Sequence, residues 1–471
     1  MGQGLEVEVV GDAALTDSLP PPPTEGVVCP CSDVTVSDLE AVWDRGFREM
    51  ELLKRATLAG TGTCQGGVCL PHLRSYLAAK GVSTPAPFTA RPLTRQATIG
   101  EVAAGYDLPP FRRTALHDEH LRLGATMDRF GAWWRPWRYP DPEAEYWSVR
   151  ERVSLGDVST LGKMEISGPD VVALLEKLYP CRVADLKDGQ VRYALLLDER
   201  GYVLDDGLIC RLSEHRFYLT FTSGGASFAE MWVRDWAETF DLDVRILDRT
   251  MSLGAINVTG PLARELLRRG GVDSPPAYLA HVDAAVFGVE CRIVRLSFTG
   301  EVSFELHHPF SDSVELWRRL EEAGADLGSY PHGLDALFTL RLEKGHFIVG
   351  MDSEYDSTPR RLGLEWAARL SKPDFVGKQA LLRTNRLPLN KRLLGWEMDG
   401  PAPIEGAILW QVATPVGQVT SARYSPVLAK TVMLGWLRSD PAEPEGISCD
   451  GRPVRHASHP FYDPDGARAR A

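Results

Sequence analysis

The chain of 471 residues contains no uninterrupted apolar stretch near the roughly 18 to 20 residues that cross a bilayer, so a membrane-spanning helix is not expected. Its N-terminus has no Lys or Arg ahead of the apolar residues and no signal-peptide core, which points to a cytoplasmic protein. Positive charge is also in deficit. Against 64 Asp and Glu stand 52 Lys and Arg, a net charge of −12, which argues against a general nucleic-acid binder. Cysteine is scarce and unevenly placed. Four of the eight, Cys29, Cys31, Cys64 and Cys69, lie in the first 70 residues. The others (Cys181, Cys210, Cys291, Cys449) lie in apolar surroundings and read as buried small hydrophobes in a reducing compartment.

What is present is ordinary for a globular chain of two to four domains, with 44% hydrophobic and 25% charged residues. Residues 1–26 are acidic and polar and end in Pro20-Pro21-Pro22-Pro23, a composition that buries no core and predicts a flexible tail. A compact cysteine-bearing unit follows. Within it a helix is expected from Thr35 to Gly46, capped by Thr35 or Ser37, and a second from Leu70 to Ala79. A Pro-rich linker covers 83–92, then a short helix at 98–104. From about Leu121 strands and helices mix. SGPD (167–170) and TGPL (259–262) each close a β-like run and open a helical one, a hint of two similarly built α+β halves. After Pro388, short strands between Gly and Pro turns suggest a small antiparallel barrel or sandwich.

The segment LLLDERGYVLDDGLICRL (195–212) reads as a strand, a tight turn at Glu199-Arg200-Gly201 and a second strand. Asp205 and Asp206 lie inside its second apolar run. Alternation sends them to opposite faces, and an inward carboxylate must be paired or hydrogen-bonded because burying it bare is costly.

The cysteines form a C-x-C…C-x4-C arrangement, Cys29-Pro-Cys31 and Cys64 to Cys69. Four thiolates suit a [2Fe-2S] cluster or a tetrahedral zinc; the one-residue gap favours iron and sulfur. Gly62, Gly66 and Gly67 let backbone N–H groups approach the sulfurs. The whole unit, VVCPCSDVTVSDLEAVWDRGFREMELLKRATLAGTGTCQGGVC, resembles the bacterioferritin-associated-ferredoxin-like domain found in alpha subunits of heterotetrameric sarcosine oxidases and related amine and opine dehydrogenases. The resemblance makes Cys29, Cys31, Cys64 and Cys69 the candidate ligands of a [2Fe-2S] cluster, with cysteines that pack the helices without metal as the alternative.

Five ordered segments carry a second resemblance: GATMDRFGAWWRPWRY (124–139), YWSVRERVSLGDVSTLGKMEISGPD (146–170), the Asp205-Asp206 hairpin, SFTGEVSFEL (297–306) and HGLDALFTLRLEKGHFIVGMDSEYDSTP (332–359). Together they resemble the glycine-cleavage T-protein family of tetrahydrofolate-dependent aminomethyltransferases, in its sarcosine and dimethylglycine oxidase branch. The fold this implies is α+β: three subdomains around a folate channel ending in a small β-barrel, preceded by the small helical cysteine-rich domain. The expected boundaries are 1–26 tail, 27–82 ferredoxin-like domain, 83–120 linker, 121–387 folate-binding domain and 388–471 barrel.

By motif position the resemblance makes Asp206 the catalytic carboxylate. Glu305 would grip the pterin's 2-amino and N3–H donors, chemistry that suits a two-oxygen acceptor. Tyr193, Leu161, Tyr218 and Thr222 would line the pterin, with Tyr193 stacking on it. Asp205 would stand beside the folate as an anchor of the hairpin. Trp366 and Trp396 are further aromatic candidates, with core packing the favoured reading for both. Leu337 occupies a position where T-proteins commonly carry arginine. The basic residues from Arg360 to Arg392 read as a solvated surface, with attraction of a polyglutamate tail as the alternative.

The function implied is a tetrahydrofolate-binding subunit of a multi-subunit amine oxidase or dehydrogenase. It would move the one-carbon unit of an oxidised N-methyl amine to tetrahydrofolate, giving 5,10-methylenetetrahydrofolate. Its flavin-containing partners would be separate chains. Two other readings are an electron-transfer or assembly subunit with a non-catalytic folate-like domain, and a direct tetrahydrofolate-dependent demethylase.

Overall fold

A computed structural model describes residues 19–62, 64–82, 98, 111–438 and 444–471. The expected N-terminal tail up to residue 18 and nearly all of the stretch from 83 to 110, with the helix expected at 98–104, lie outside the described residues. The chain divides into two compact units, Met1–Pro109 and Pro110–Ala471. No helix among the described residues is long and apolar enough to cross a membrane.

In the first unit a short pair, β1 (Val27–Cys29) and β2 (Val34–Thr35), leads into α1 (Val36–Asp44). Thr35 is the cap: its side chain accepts from the Asp38 N–H and the Asp38 carboxylate accepts from the Thr35 N–H, a reciprocal box. Helix α2 (Met50–Thr57) ends at Leu58 in the left-handed conformation, and α3 (Cys69–Ala79) begins on a cysteine. Leu39, Leu53, Leu73 and Leu77 close a core of their own.

The second unit begins with α4 (His117–Arg122), β3 (Thr126–Phe130), β4 (Trp133–Arg138) and α5 (Pro142–Glu151). Then come β5 (Ser154–Asp157), β6 (Gly162–Ser167), α6 (Val171–Leu178), β7 (Val191–Leu197), β8 (Val203–Ser213), β9 (Arg216–Phe221) and α7 (Ala226–Thr239). They are followed by β10 (Arg245–Asp248), β11 (Leu253–Thr259), α8 (Ala263–Arg269), β12 (His281–Val286), β13 (Val289–Arg295) and β14 (Ser303–Pro309). Helix α9 (Ser313–Gly324), β15 (Tyr330–Pro331) and α10 (Leu334–Glu343) complete this part.

Two sheets result. The first has the order β10-β6-β9-β8-β7, the second β12-β13-β14-β11-β5-β15. Helices α6 and α7 cover one face of the first through Leu174, Leu175 and Val233 against Ile166, Ile209 and Leu219. Helices α8 and α9 do the same for the second, with Leu266, Leu316 and Trp317 against Ile256 and Phe304. The strand–Gly-Pro–helix corner occurs in both halves, at β6–α6 and β11–α8. Gly168 (φ 133°) and Gly260 (φ 124°) make those corners, and a Cβ at either would strike the backbone of a neighbouring segment, Asp243 or Arg152.

After α11 (Lys378–Thr384) comes a seven-stranded antiparallel sheet of β16 (Lys391–Met398), β17 (Ile408–Gln411), β18 (Thr414–Ser425), β19 (Lys430–Arg438), β20 (Ile447–Cys449), β21 (Arg452–Pro453) and β22 (Arg455–Ala457). Its interior holds Trp396, Leu409, Val419 and Met433, so Trp396 is the core residue expected of it.

Candidate functional site

Strands β7 and β8 form the hairpin read from the sequence. Asp206 pairs with Leu195, Leu208 with Tyr193, and Cys210 with both Val191 and, on β9, Tyr218. Directly paired residues share a face, so Tyr193, Asp206, Leu208, Cys210 and Tyr218 all point the same way, opposite to α6 and α7. On the second sheet Glu305 pairs with Val294, and His307 with Arg292. Val294 packs with Leu208, Cys210 and Tyr218, so Glu305 and His307 lie on the side of that sheet facing the first. The fold thus brings Tyr193, Asp206, Tyr218 and Glu305 to one space between two sheets.

Asp206 is half-buried and its Oδ2 accepts from the Tyr193 hydroxyl at 2.7 Å. Burial pushes its carboxyl up to about 6, with the Tyr193 hydroxyl acting the other way. Asp205 is fully buried on the opposite face. Its Oδ2 accepts from the Thr222 N–H at 3.2 Å, tying β8 to the turn that opens α7, while Oδ1 has no partner among the described residues. Burial first, and then the charge of Asp206, raises Asp205 to about 7.

Leu161 and Thr222 are half-buried in two turns that are joined by a Thr160–Ser223 hydroxyl contact of 2.7 Å. Tyr218 is wholly buried, and its hydroxyl engages His307 Nδ1 at 2.9 Å. Glu305 accepts from His307 Nε2 at 3.1 Å. Leu337 lines a small cleft with Arg135, Asp157 and His332.

Two expectations are corrected. Trp366 is 66% exposed rather than core: Ala367 takes the buried place in its short turn, and the indole lies outward with its ring 5.7 Å from that of Tyr193. The basic stretch is not simply solvated either. Lys372 is buried, paired with Glu176 at 2.6 Å and donating to the carbonyls of Glu176, Tyr179 and Cys181. Arg361 pairs with Asp356 at 2.7 Å, and Lys391 with Glu354 and Asp356. Arg360 donates to the carbonyls of Asn385 and Leu387.

Lys163 and His307 are additions that sequence reasoning missed. Lys163 is buried, and its Nζ donates to the Ser159 and Leu161 carbonyls at 2.7 and 2.8 Å. Burial lowers it to about 8, while Asp157 and Glu305 pull upward. His307 stands two residues from Glu305, so alternation along β14 was a signal that could have found it.

In the first unit Cys31 Sγ is 3.4 Å from Cys64 Sγ, and Cys29 is hydrogen-bonded to Cys69. Burial opposes ionisation of Cys29, yet the Gly60 and Ser32 backbone groups hold its thiol below the usual value. Backbone groups of Val68, Gly66 and Gly67, together with Cys31, do the same for Cys64. Cys69 is pushed up to about 12 by burial and by the nearby Cys29 charge. Gly62 packs so closely on Cys31 that a Cβ there would overlap it. Among the described residues no set of three or more His, Cys, Asp or Glu is gathered as a metal site.

Comparison with known proteins decides the family. The GCVT N-terminal domain model matches residues 116–372, and the glycine cleavage T-protein C-terminal barrel domain model matches 391–463. The chain belongs to the glycine-cleavage T-protein family. The BFD-like [2Fe-2S] binding domain model matches residues 27–79. Among its relatives is sarcosine oxidase subunit alpha of Corynebacterium sp. (strain U-96), 32% identical over 478 residues, covering 93% of this chain and 49% of that one. The aminomethyltransferase of Pseudothermotoga lettingae is 33% identical over 344 residues, covering 72% of this chain and 94% of that protein. The solved structure of glycine cleavage system aminomethyltransferase T from Bartonella henselae matches with a TM-score of 0.70 and 26% identity, over 75% of this chain and 99% of that one. The α+β T-protein fold with its C-terminal barrel, following a small helical domain in the sequence, is therefore the fold of this family member. The chain spans about half the length of the sarcosine oxidase subunits it matches.

Proposed function

We propose that this chain is the tetrahydrofolate-binding, one-carbon-accepting subunit of a multi-subunit amine oxidase or dehydrogenase. The observation that carries the reading is the Tyr193–Asp206 pair, facing the same inter-sheet space as Glu305. A carboxyl raised to about 6 is ionised at neutral pH yet basic enough to take a proton, which suits a general base.

In the reaction the methylene carbon of a CH2=N⁺ iminium forms bonds to N5 and N10 of tetrahydrofolate while its bond to the amine nitrogen breaks. Two N–H hydrogens leave the folate; one ends on the departing amine and the other is released as a proton. Asp206 accepts that proton, and its negative charge stabilises the cationic reactant beforehand. The Tyr193 hydroxyl holds the carboxylate in place. Glu305 accepts from the pterin's 2-amino and N3–H groups, and the exposed Trp366 ring beside Tyr193 offers an aromatic surface to the rest of the ligand. An enclosed site matters because a free iminium hydrolyses to formaldehyde in water.

The cysteine unit fits the same reading. Backbone N–H groups directed at Cys29 and Cys64, one in each sulfur pair, favour the thiolate at those two positions, while burial opposes it at Cys69. Cys29, Cys31, Cys64 and Cys69 would hold a [2Fe-2S] cluster, which supplies one-electron transfer. Flavin chemistry on the amine would belong to partner chains. Calorimetric titration with tetrahydrofolate tests the core of the proposal: micromolar binding is expected, and no heat of binding at high micromolar ligand would overturn it.

A further inference from the structure

We propose that His307, itself held by Tyr218, is the positioning residue for Glu305, fixing the plane in which the carboxylate presents its oxygens to the pterin's donors. The inference rests on the tetrahydrofolate reading and goes further, because it assigns the selectivity of the site to a dyad outside the motifs that suggested the family.

The chemistry leaves one arrangement. Tyr218 is wholly buried and its phenol, raised well above its ordinary value by burial, keeps its proton. Because His307 Nε2 faces the Glu305 carboxylate, which can only accept, Nε2 carries the ring hydrogen and the hydroxyl, 2.9 Å from Nδ1, donates there. Nδ1 is then the acceptor, and burial keeps the imidazole neutral, so its one hydrogen lies on Nε2. That hydrogen is donated to Glu305 Oε2 at 3.1 Å. Among the described residues no hydrogen bond engages Oε1, and Oε2 keeps a second lone pair, so the carboxylate held by His307 still has acceptor sites on both oxygens for a ligand.

The dyad is rigid. The Tyr218 and His307 rings meet edge to face at 5.4 Å and 81°. The Arg292 guanidinium lies 4.9 Å from the centre of the Tyr218 ring, and its own place is set by Asp283 at 2.9 Å. Glu305 and His307 are neighbours on one strand face, so the imidazole reaches the carboxylate without distorting the backbone. A glutamate has three rotatable bonds; without this donor it would need to be ordered at the moment of binding.

Tetrahydrofolate and its 2-desamino-2-methyl analogue are the probes, titrated against the full chain. The analogue lacks the 2-amino donor. The wild type should prefer tetrahydrofolate by about 10- to 100-fold, the range expected when a charged hydrogen bond is lost. His307→Phe should lose roughly tenfold in tetrahydrofolate affinity and clearly less for the analogue, which keeps only the N3–H donor, so the preference narrows. His307→Gln, which can still donate from its amide, should recover part of it. A merely structural role would weaken both ligands alike. In the ligand-free protein, nitrogen-15 spectra with the His307→Gln difference should show the Nε2–H tautomer for His307, and Tyr218→Phe should weaken that preference, leaving the Glu305 carboxylate alone to hold it.

An unchanged preference in His307→Phe, or an Nδ1–H tautomer in the wild type, overturns the inference and leaves the tetrahydrofolate reading standing. A wild type that binds neither probe overturns both.

Discussion

At the scale of single residues, alternation gives the adjacent aspartates of one strand different surroundings, and the proposed function gives them different tasks. Asp206 meets a phenol and the proposed folate space; Asp205 meets the protein interior with one oxygen unpartnered among the described residues. Asp206→Asn removes the base without removing size or hydrogen bonding, so folding and tetrahydrofolate binding should persist while methylene transfer falls about 100-fold or more. Unchanged transfer would refute the role. In the wild type the same step should slow as pH falls through about 6, where the carboxylate takes up its proton. Asp205 makes the opposite kind of prediction. Its folded value of about 7 exceeds the unfolded value of roughly 3.9, so the folded state binds a proton that the unfolded chain has lost. Stability from that group is full below the unfolded value and drains away as pH rises to about 7. Asp205→Asn should therefore raise the melting temperature at pH 8, by on the order of 1 kcal/mol or more of stability, and have little effect near pH 4. An equal shift at both pH values would contradict this account.

At the scale of elements, the hairpin β7–β8 was legible because its pattern is local: apolar alternation, a Gly turn and polar residues at the tip. Gly201 (φ 78°) occupies that turn, and a Cβ there would press on Leu381 of α11. Gly201→Ala should cost about 1–2 kcal/mol through the left-handed backbone alone, and more if Leu381 cannot yield. A melting temperature unchanged from wild type would show that the turn relaxes freely. The paired corners at Gly168 and Gly260 were legible for the same reason. What escaped was non-local. The Tyr218–His307 bond joins strands 89 positions apart, and Lys372 caps carbonyls more than 190 residues earlier. Trp366 misled because composition alone places indoles in cores, whereas its turn gives the buried place to Ala367. Asp206 and Glu305 could be named from motifs, but that they face one space depends on which sheet faces pack, and no local pattern states it.

At the scale of the whole molecule, the proposed chemistry divides between the two units, and every residue of the proposed folate site belongs to Pro110–Ala471. The four cysteines all belong to the other unit, where burial, and then the charges of Cys29 and Cys64, raise Cys69 while backbone N–H groups lower Cys29 and Cys64. That contest is what a bound cation resolves: charge that four thiolates impose on one another is neutralised once metal is present. Protein purified without oxygen should carry about two irons per chain, with the absorption of a [2Fe-2S] centre. Cys64→Ser keeps the size of the side chain but replaces the sulfur that Val68, Gly66 and Gly67 serve, and should lose the iron. Because no folate-site residue lies in that unit, tetrahydrofolate affinity in Cys64→Ser should stay within about twofold of wild type, well under the ~1.4 kcal/mol that a tenfold change represents. Zinc in place of iron, or no metal at all, would overturn the cluster assignment. Loss of folate binding together with iron would instead show that the two units act as one site.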